Sequence, residues 1–329
     1  MEKISVNNET ASSIFATKEA VVGVRKCKKV KGLAFTSFMQ EIIAEHKALG
    51  KRRLIESYSS TLRSFVAFLH GRELFLCDIN QMLMQRYEVW LLTVRCVTRN
   101  SSSFYMRILR AVYNHAVERG LVTDCRPFKN VYTGVDRTVK RALPLCAIKK
   151  IVALDLSDNP RLAFVRDLFL FSFYTRGMSF VDMAYLKKRD LKNGVLGYYR
   201  RKTGQYIQVK WEQCMQAVVE KYGYGAGEFL LPIISQPGKD ERVQYQSRMC
   251  MTNAMLKEIA AKVGLSMPLT TYVARHSWAS VARCHNIPLS VISEGMGHDS
   301  EKTTQIYLAS LESSVVDKAN RLVIKALLG

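Results

Sequence analysis

The chain has 329 residues, 48% of them hydrophobic and 10% aromatic, and is long enough for two globular domains. Its formal net charge of +21 favours a polyanionic partner, because such a partner relieves the repulsion between the positive charges. The eight cysteines include no Cys-x-x-Cys pair, and the longest apolar stretch, residues 162–174, is interrupted by Arg166 and Asp167. The sequence therefore predicts neither a zinc site nor a membrane span.

Residues 1–30 are weakly patterned and end in the basic run Arg25-Lys26-Cys27-Lys28-Lys29, which predicts a flexible basic arm. The N-terminus is polar, so we expect no export signal. Free thiols without an export signal are typical of a reducing compartment. The expected location is the cytoplasm, in association with the nucleoid.

Residues 31–122 are predicted to form an all-α unit of four helices. Apolar residues recur at helical spacing over about 35–46, 51–69, 78–91 and 98–120. Asp78 is predicted to cap the third helix at its N-terminus, and Thr98 begins the polar cluster that opens the fourth. Gly71 and Gly120 are expected to end the second and fourth helices.

Periodicity is lost over residues 123–142, and we predict an interdomain linker there. The segment contains Pro127 and Gly134, which favour turns. It also carries five basic residues: Arg126, Lys129, Arg137, Lys140 and Arg141. Two interpretations stay open, a solvated charged segment or direct contact with the phosphates of the partner.

Residues 143–329 are predicted to form a second, mostly helical unit with one β-hairpin. Two β-prone runs, 195–199 and 206–209, flank a turn at Lys202-Thr203-Gly204. Helical spacing predicts the other elements at about 146–154, 160–173, 180–186, 215–221, 248–263, 271–284, 288–296, 301–308 and 315–328.

The last sixty residues bring together a guanidinium, an imidazole and a phenol. Arg275 precedes His298 by 23 residues, and His298 precedes Tyr307 by nine. A phenol can form a covalent bond to phosphorus, and a guanidinium fork fits two phosphate oxygens. An imidazole can donate a hydrogen bond to a third oxygen. Such a set suits transfer of a phosphodiester to a tyrosine without a metal.

These residues lie in the strings Thr-Thr-Tyr-Val-Ala-Arg-His-Ser-Trp-Ala-Ser and Gly-His-x-Ser-x-x-Thr-Thr-x-x-Tyr. Their spacing and order resemble the tyrosine recombinase (phage-type integrase) family, and among it the bacterial integrase and DNA invertase subgroup. The resemblance covers about residues 35–329. It implies a mainly α fold with a small β-hairpin or sheet, in a two-domain clamp of an all-α core-binding domain and a mostly helical catalytic domain.

The resemblance also implies an activity: site-specific cleavage and rejoining of DNA strands through a 3′-phosphotyrosine, with no cofactor, metal or ATP. Tyr307 would be the nucleophile and Arg275 the clamp on the non-bridging oxygens. His298 would bond the same phosphate and exchange a proton with Tyr307, and Lys202 would protonate the departing 5′-oxygen. Each has a plain alternative: a packed tyrosine, a surface ion pair, a structural histidine or a solvated basic turn.

Supporting roles and two departures from the family pattern follow from the same comparison. His276 is expected to orient an acid, for which Asp182 is the candidate; a buried structural role for both residues stays open. Tyr272 stands where the family usually has a histidine, and Ser179 where it has its first arginine. We hypothesise that Arg176 supplies that guanidinium, because helical positions three apart share a face.

The expected partner is double-stranded DNA carrying specific sites, bound as a homotetramer on two sites, with no membrane and no small-molecule substrate. A terminal helix at 313–329 carries an apolar stripe that either folds back on its own core or, as the resemblance implies, docks into a neighbouring subunit. Candidate DNA contacts are basic residues: Lys51, Arg52, Arg53, Arg99, Arg107, Arg110, Arg137, Lys140, Arg141, Arg200 and Arg201.

The outcome of the reaction stays open among inversion, integration and excision of a DNA segment. Two other functions also stay open: a DNA-binding regulator or accessory protein of the same fold with impaired catalysis, and a topoisomerase-like relaxing enzyme that needs no partner site. The substitutions at Tyr272 and Ser179 are what favour impaired catalysis.

Overall fold

The computed structural model describes residues 32–136, 141–222, 227–298, 300–301, 304–305 and 324. These residues fall into two compact units, one before and one after residues 137–140. The predicted basic arm, Tyr307 and, apart from Ile324, the predicted terminal helix lie outside the described residues. Within the described ranges, no helix is long and apolar enough to cross a bilayer.

The first unit is helical, as predicted. Its helices are α1 (Phe35–Ala48), α2 (Arg52–Phe68), α3 (Gln81–Thr93) and α4 (Arg99–Glu118). Their core contains rings that the helical spacing placed on shared faces, including Phe38, Phe65 and Tyr87, each fully buried. Phe65 and Tyr87 pack edge to face, with ring centroids 5.0 Å apart.

The predicted cap of the third helix is wrong by two residues. Asp78 lies in a short 3₁₀ turn (Leu76–Asp78), where its carboxylate accepts from the amide of Phe75. The cap of α3 is Asn80, whose side chain accepts from the amide of Leu83 at 3.0 Å. Both residue types cap helices well, so the sequence alone did not separate them. At α4 the cap is Thr98, the first residue of the polar cluster predicted to open this helix.

The segment predicted as a linker differs in the structure over residues 123–136. Phe128 and Val131 are buried in the core of the first unit, each 8% exposed. The amide of Asn100 on α4 donates to the carbonyl of Asp136 at 3.0 Å, and the amide of Asp136 donates back at 2.8 Å. Two apolar residues cannot establish a period, so the sequence pattern, dominated here by turn-forming and basic residues, did not predict this packing.

The second unit is mostly helical with a small sheet, as predicted. Its helices are α5 (Leu145–Ala153), α6 (Pro160–Tyr174), α7 (Phe180–Ala184), α8 (Gln213–Tyr222), α9 (Glu241–Lys262), α10 (Thr271–Cys284) and α11 (Leu289–Met296). The start of α9 lies seven residues before the predicted Arg248, because Asp240 caps it by accepting from the amides of Arg242 and Val243.

The sheet is antiparallel in the order β1 (Leu191–Lys192), β2 (Val195–Tyr199), β3 (Tyr206–Lys210). The hairpin of β2 and β3 was predicted, while β1 has only two residues and was not. Leu196 and Tyr198 on β2 are buried and pair with Val209 and Ile207 on β3. Because side chains alternate along a strand, the next inward position after Tyr198 is Arg200.

The centre of the second unit is α6, which packs against α8, α9 and α10. Its one buried acid, Asp167, is 5% exposed and accepts from Arg166 at 2.8 Å, Lys221 at 2.8 Å and the Tyr222 hydroxyl at 2.5 Å. Burial alone would raise the pKa of Asp167, but these three hydrogen bonds hold it below its usual value.

Replacing Asp167 with alanine is expected to lower the free energy of unfolding of the second unit by about 3 kcal/mol, because Arg166 loses its partner in a buried position. Urea unfolding at pH 7 measures this. The stabilisation belongs to the carboxylate with a lowered pKa, so it is present above the unfolded pKa and is lost as the pH falls through the folded one. Lys221→Ala is the control: Lys221 is half exposed, so its loss should cost under about 1 kcal/mol. Equal costs for both variants would contradict the assignment.

Candidate active site

Arg275 lies at the centre of the site. It stands on α10 and is 2% exposed. One Nη donates to the carbonyl of Gly177 at 2.8 Å; the other donates to the carbonyl of Met296 at 2.6 Å and contacts Nε2 of His298 at 2.9 Å. One guanidinium thus joins the turn after α6, the end of α11 and the predicted histidine. The structure brings Arg275 and His298 together, as the sequence predicted.

Two glycines make this approach possible. Gly177 has φ +74°, and a Cβ there would stand 2.6 Å from Cα of Arg275. Gly297 ends α11 in the left-handed conformation with φ +63°, and a Cβ there would stand 2.6 Å from Cδ1 of Ile207 on the hairpin. Gly297 therefore lets the hairpin and the Gly-His turn lie against each other.

His298 is neutral in this environment. A guanidinium can only donate, so Nε2 accepts from Arg275 and the proton stands on Nδ1, which donates to Oγ1 of Thr304 at 2.7 Å. Burial and the nearby charges of Arg275, Arg200 and Lys202 lower the pKa of His298 to about 3. A neutral imidazole can accept a proton, which is compatible with the predicted exchange.

Thr304 is a site residue that sequence reasoning did not single out. It is fully buried and holds the imidazole of His298 by the hydrogen bond to Nδ1. The available signal was its position in the Thr-Thr pair, six residues after His298. Tyr307, the predicted nucleophile, lies three residues further on, outside the described residues.

The hairpin turn separates its three basic residues. Arg200 is 4% exposed and donates from Nη1 to the carbonyl of Gly297 at 2.5 Å. Arg201 is exposed, and its guanidinium stacks 3.5 Å from the ring centroid of Tyr185. Lys202 is exposed in the turn, close enough to act on the pKa of His298. The sequence could not distinguish Arg200 from Arg201.

Ser179 and Asp182 support the base of this turn. Ser179 caps α7 and donates from Oγ to Oδ2 of Asp182 at 2.6 Å. The other carboxylate oxygen accepts from the backbone amide of Arg201 at 2.9 Å. Asp182, 4% exposed, was expected to be oriented by His276. In the structure its two oxygens instead hold Ser179 and the hairpin.

The geometric reason given for Arg176 is wrong. Arg176 is not on a helix: α6 ends at Tyr174, α7 begins at Phe180, and Arg176 itself has φ +61° in the turn between them. The three-residue spacing to Ser179 therefore does not place both on one face. Cδ of Arg176 lies 3.6 Å from the position a Cβ of Gly295 would take.

Tyr272 and His276 lie one turn apart on α10, one before and one after Arg275 in the sequence. Their rings meet at a right angle, with centroids 5.0 Å apart. Tyr272 is 41% exposed and His276 is 6% exposed. A phenol can donate a hydrogen bond to a phosphate, so the exposed Tyr272 is available for such a contact, and His276 packs against its ring.

The predicted DNA contacts outside the hairpin are at the surface. The described ones are exposed: Lys51, Arg52, Arg53, Arg99, Arg107, Arg110 and Arg141. Arg99 stacks 3.8 Å from the ring centroid of Tyr132, and Arg110 donates to Thr133 at 3.2 Å. Arg137 and Lys140 lie outside the described residues. Over the part of the chain described, no three histidine, cysteine, aspartate or glutamate side chains are grouped to hold a metal.

Comparison with known proteins identifies relatives for both units. Residues 34–131 match the phage integrase SAM-like domain, and residues 156–314 match the phage integrase family. The tyrosine recombinase XerC of Leptospira interrogans is 22% identical over 264 residues, which cover 78% of this chain and 82% of that protein.

Two solved structures share the fold. A lambda integrase dimer bound to a COC′ core site has a TM-score of 0.65 at 15% identity, covering 84% of this chain and 77% of that chain. A lambda integrase tetramer bound to a Holliday junction has a TM-score of 0.64 at 17% identity, covering 84% and 78%.

Proposed function

This chain belongs to the phage integrase family of tyrosine recombinases, and from that premise we propose that it cleaves and rejoins DNA at specific sites through Tyr307. The observation that carries the proposal is the buried hydrogen bond between Arg275 and His298, which holds a permanent cation and a neutral imidazole at one point. A DNA-binding regulator without catalysis has no need of this pair.

The proposed reaction is two transesterifications. The oxygen of Tyr307 forms a bond to the scissile phosphorus, the bond to the 5′-oxygen breaks, and that oxygen takes a proton from Lys202. Arg275 stabilises the charge on the non-bridging oxygens of the pentacoordinate transition state. In the second step a 5′-hydroxyl attacks the phosphotyrosine and releases Tyr307. Each step exchanges one phosphate ester for another, so no ATP is consumed.

Activation of Tyr307 needs nearby positive charge, because a phenol with its usual pKa of about 10 is mostly protonated at neutral pH. The cations around His298 supply such a field: Arg275, Arg200 and Lys202 all act on its pKa. Neutral His298 is the proposed acceptor of the tyrosine proton. Its one lone pair is on Nε2, so in the proposed step Arg275 turns its Nη from Nε2 to the phosphate and the proton of Tyr307 passes to Nε2.

A nicked suicide duplex distinguishes an enzyme from a binding protein. Cleavage near the nick releases a short strand and traps the covalent complex. The sequence of this duplex is found by incubating the protein with a library of randomised duplexes and recovering those that become covalently attached to it. We expect a protein–DNA adduct that survives a denaturing gel. A complex seen only on a native gel would favour the regulator, and relaxation of supercoils without any dependence on sequence would favour the topoisomerase-like enzyme.

The DNA-bound assembly is proposed to be a homotetramer on two sites, in the cytoplasm with the nucleoid DNA, where it inverts, integrates or excises a segment. The tetrameric lambda integrase on a Holliday junction supports this arrangement by analogy of fold. We propose a clamp in which residues 31–122 act as the core-binding domain and residues 143–329 as the catalytic domain, with the exposed lysines and arginines contacting phosphates.

Removal of residues 313–329 is expected to abolish the tetramer while leaving single-site binding and cleavage within about tenfold, because the proposed role of this segment is to dock into the neighbouring subunit. Sedimentation of the protein on paired sites measures assembly, and the suicide duplex measures cleavage. An alanine substitution at the exposed Ile324 alone is the milder companion variant. Full assembly by the truncated protein would contradict the docking role.

A further inference from the structure

We propose that Arg200 is a second catalytic arginine, which contacts the scissile phosphate from the hairpin side while Arg275 contacts it from α10. This inference rests on the proposed function and names a residue for it. It assigns to Arg200 the role for which the sequence offered Arg176, and it explains how a site with Ser179 in place of an arginine can hold two guanidiniums.

The first observation is that the charge of Arg200 is buried and that no carboxylate within the described ranges is paired with it. The side chain is 4% exposed, about as buried as Arg275, and its hydrogen-bonded partner is the neutral carbonyl of Gly297. Its Nε is buried without a partner among the described residues. No described carboxylate forms an ion pair with Arg200, and the oxygens of Asp182 are occupied by Ser179 and the Arg201 amide. A buried guanidinium without an acid is stabilised when an anion binds.

The second observation is that Arg200 and Arg275 converge. Arg200 donates to the carbonyl of Gly297, and Arg275 donates to the carbonyl of Met296, the residue before it. Both act on His298, whose pKa falls in their field. The two guanidiniums, both held against the Met296-Gly297 turn, repel each other, and a phosphate oxygen bound between them relieves that repulsion. A phosphodiester presents two such oxygens, and their charge grows in the transition state.

The third observation is that the competing arginines stand on other positions of the fold and are less buried than Arg200. Arg201 is the next residue, so its side chain points to the opposite face from Arg200, where it stacks on Tyr185. Arg176 is half-buried in the turn between α6 and α7, with Cδ 3.6 Å from the position a Cβ of Gly295 would take. Of these residues only Arg200 follows the inward positions Leu196 and Tyr198 along β2, which brings it to the turn that carries His298.

The test compares cleavage of two substrates by variants of the full chain. The first is the suicide duplex captured by the wild-type protein. The second carries a methylphosphonate at the scissile position, where a methyl group replaces one non-bridging oxygen and removes the negative charge. Arg200→Ala is expected to cleave the phosphate ~10²–10³-fold more slowly, as on loss of one donor to a developing anion. On the methylphosphonate its rate should lie within about tenfold of wild type, because the reacting group carries one negative charge fewer and one guanidinium suffices to neutralise what develops.

Three companions make the result specific. Arg200→Lys is expected to stay impaired on the phosphate, because an ammonium does not reproduce the fork of a guanidinium. Arg176→Ala should lose much less than Arg200→Ala. Arg161→Ala, at an exposed arginine in the first turn of α6, is the matched control. Added methylguanidinium should restore part of the cleavage by Arg200→Ala, which a misfolded protein could not do.

The outcomes separate this inference from the proposed function. Equal loss by Arg200→Ala on both substrates, without rescue, would mean that Arg200 only positions the Gly297 turn, and would overturn the inference. A charge-dependent loss in Arg176→Ala but not in Arg200→Ala would do the same while leaving the recombinase intact. Failure of the wild-type protein to form any adduct would remove the proposed function, and this inference with it.

Discussion

Arg275→Ala is expected to reduce formation of the covalent adduct by ~10³-fold or more. Arg275 has five N–H donors, and the proposed role of those not held by Gly177, Met296 and His298 is to bond the non-bridging oxygens, so its loss removes both a cation and these hydrogen bonds. The substitution also leaves the carbonyls of Gly177 and Met296 without their buried donor, so a lower melting temperature is expected. Adduct yield on the suicide duplex, measured over time, gives the rate.

Arg275→Lys separates chemistry from folding. It keeps the positive charge and one donor in the buried position, and should melt closer to wild type than Arg275→Ala. Its cleavage should still be reduced ~10²-fold, because a lysine cannot bond two oxygens with a fixed fork. Cleavage by Arg275→Ala within tenfold of wild type, in protein that remains folded and bound to DNA, would contradict the assigned role.

Lys202→Ala is expected to lose ~10²–10⁴-fold in cleavage of ordinary DNA, because the departing 5′-alkoxide then has no proton donor. A substrate with sulfur in place of the 5′-bridging oxygen removes the need for that proton donor. A thiolate is a far better leaving group than an alkoxide and needs no acid, so the same variant should cleave it at close to the wild-type rate. The ratio of the two rates measures the role of Lys202 as an acid.

Lys210→Ala is the matched control for Lys202→Ala, since Lys210 is an exposed lysine at the far end of β3 in the same hairpin. It should cleave both substrates like wild type. If Lys202→Ala stayed equally slow on the sulfur substrate, the residue would be a phosphate contact rather than the acid. The proton would then come from another group.

The fold could be predicted where residues repeat with a clear period. The helices α1 to α4 follow from apolar spacing, and the hairpin follows from two β-prone runs around a Gly-containing turn. The errors lie where local signals were ambiguous. Asp78 and Asn80 are both good caps, and Phe128 and Val131 are too few to form a pattern. Such positions are decided by packing between distant parts of the chain.

The site could be predicted in part for the same reason. Arg275 and His298 lie in strings of recognisable spacing, and the structure brings them together. The position of Arg176 was inferred from helical spacing in a segment that is a turn, so its geometry was wrong. Whether Arg200 or Arg201 is buried depends on which side of β2 faces the core. The alternation of side chains along the strand predicts Arg200 once the register of β2 and β3 is known.

The covalent bond at Tyr307 is the central claim and can be measured directly. The wild-type protein is trapped on the suicide duplex, digested with trypsin and a nuclease, and analysed by mass spectrometry. We predict that the peptide containing Tyr307 carries the added nucleotide and that Tyr307→Phe, still able to bind the duplex, yields no adduct. An adduct on another residue, or undiminished cleavage by Tyr307→Phe, would contradict it.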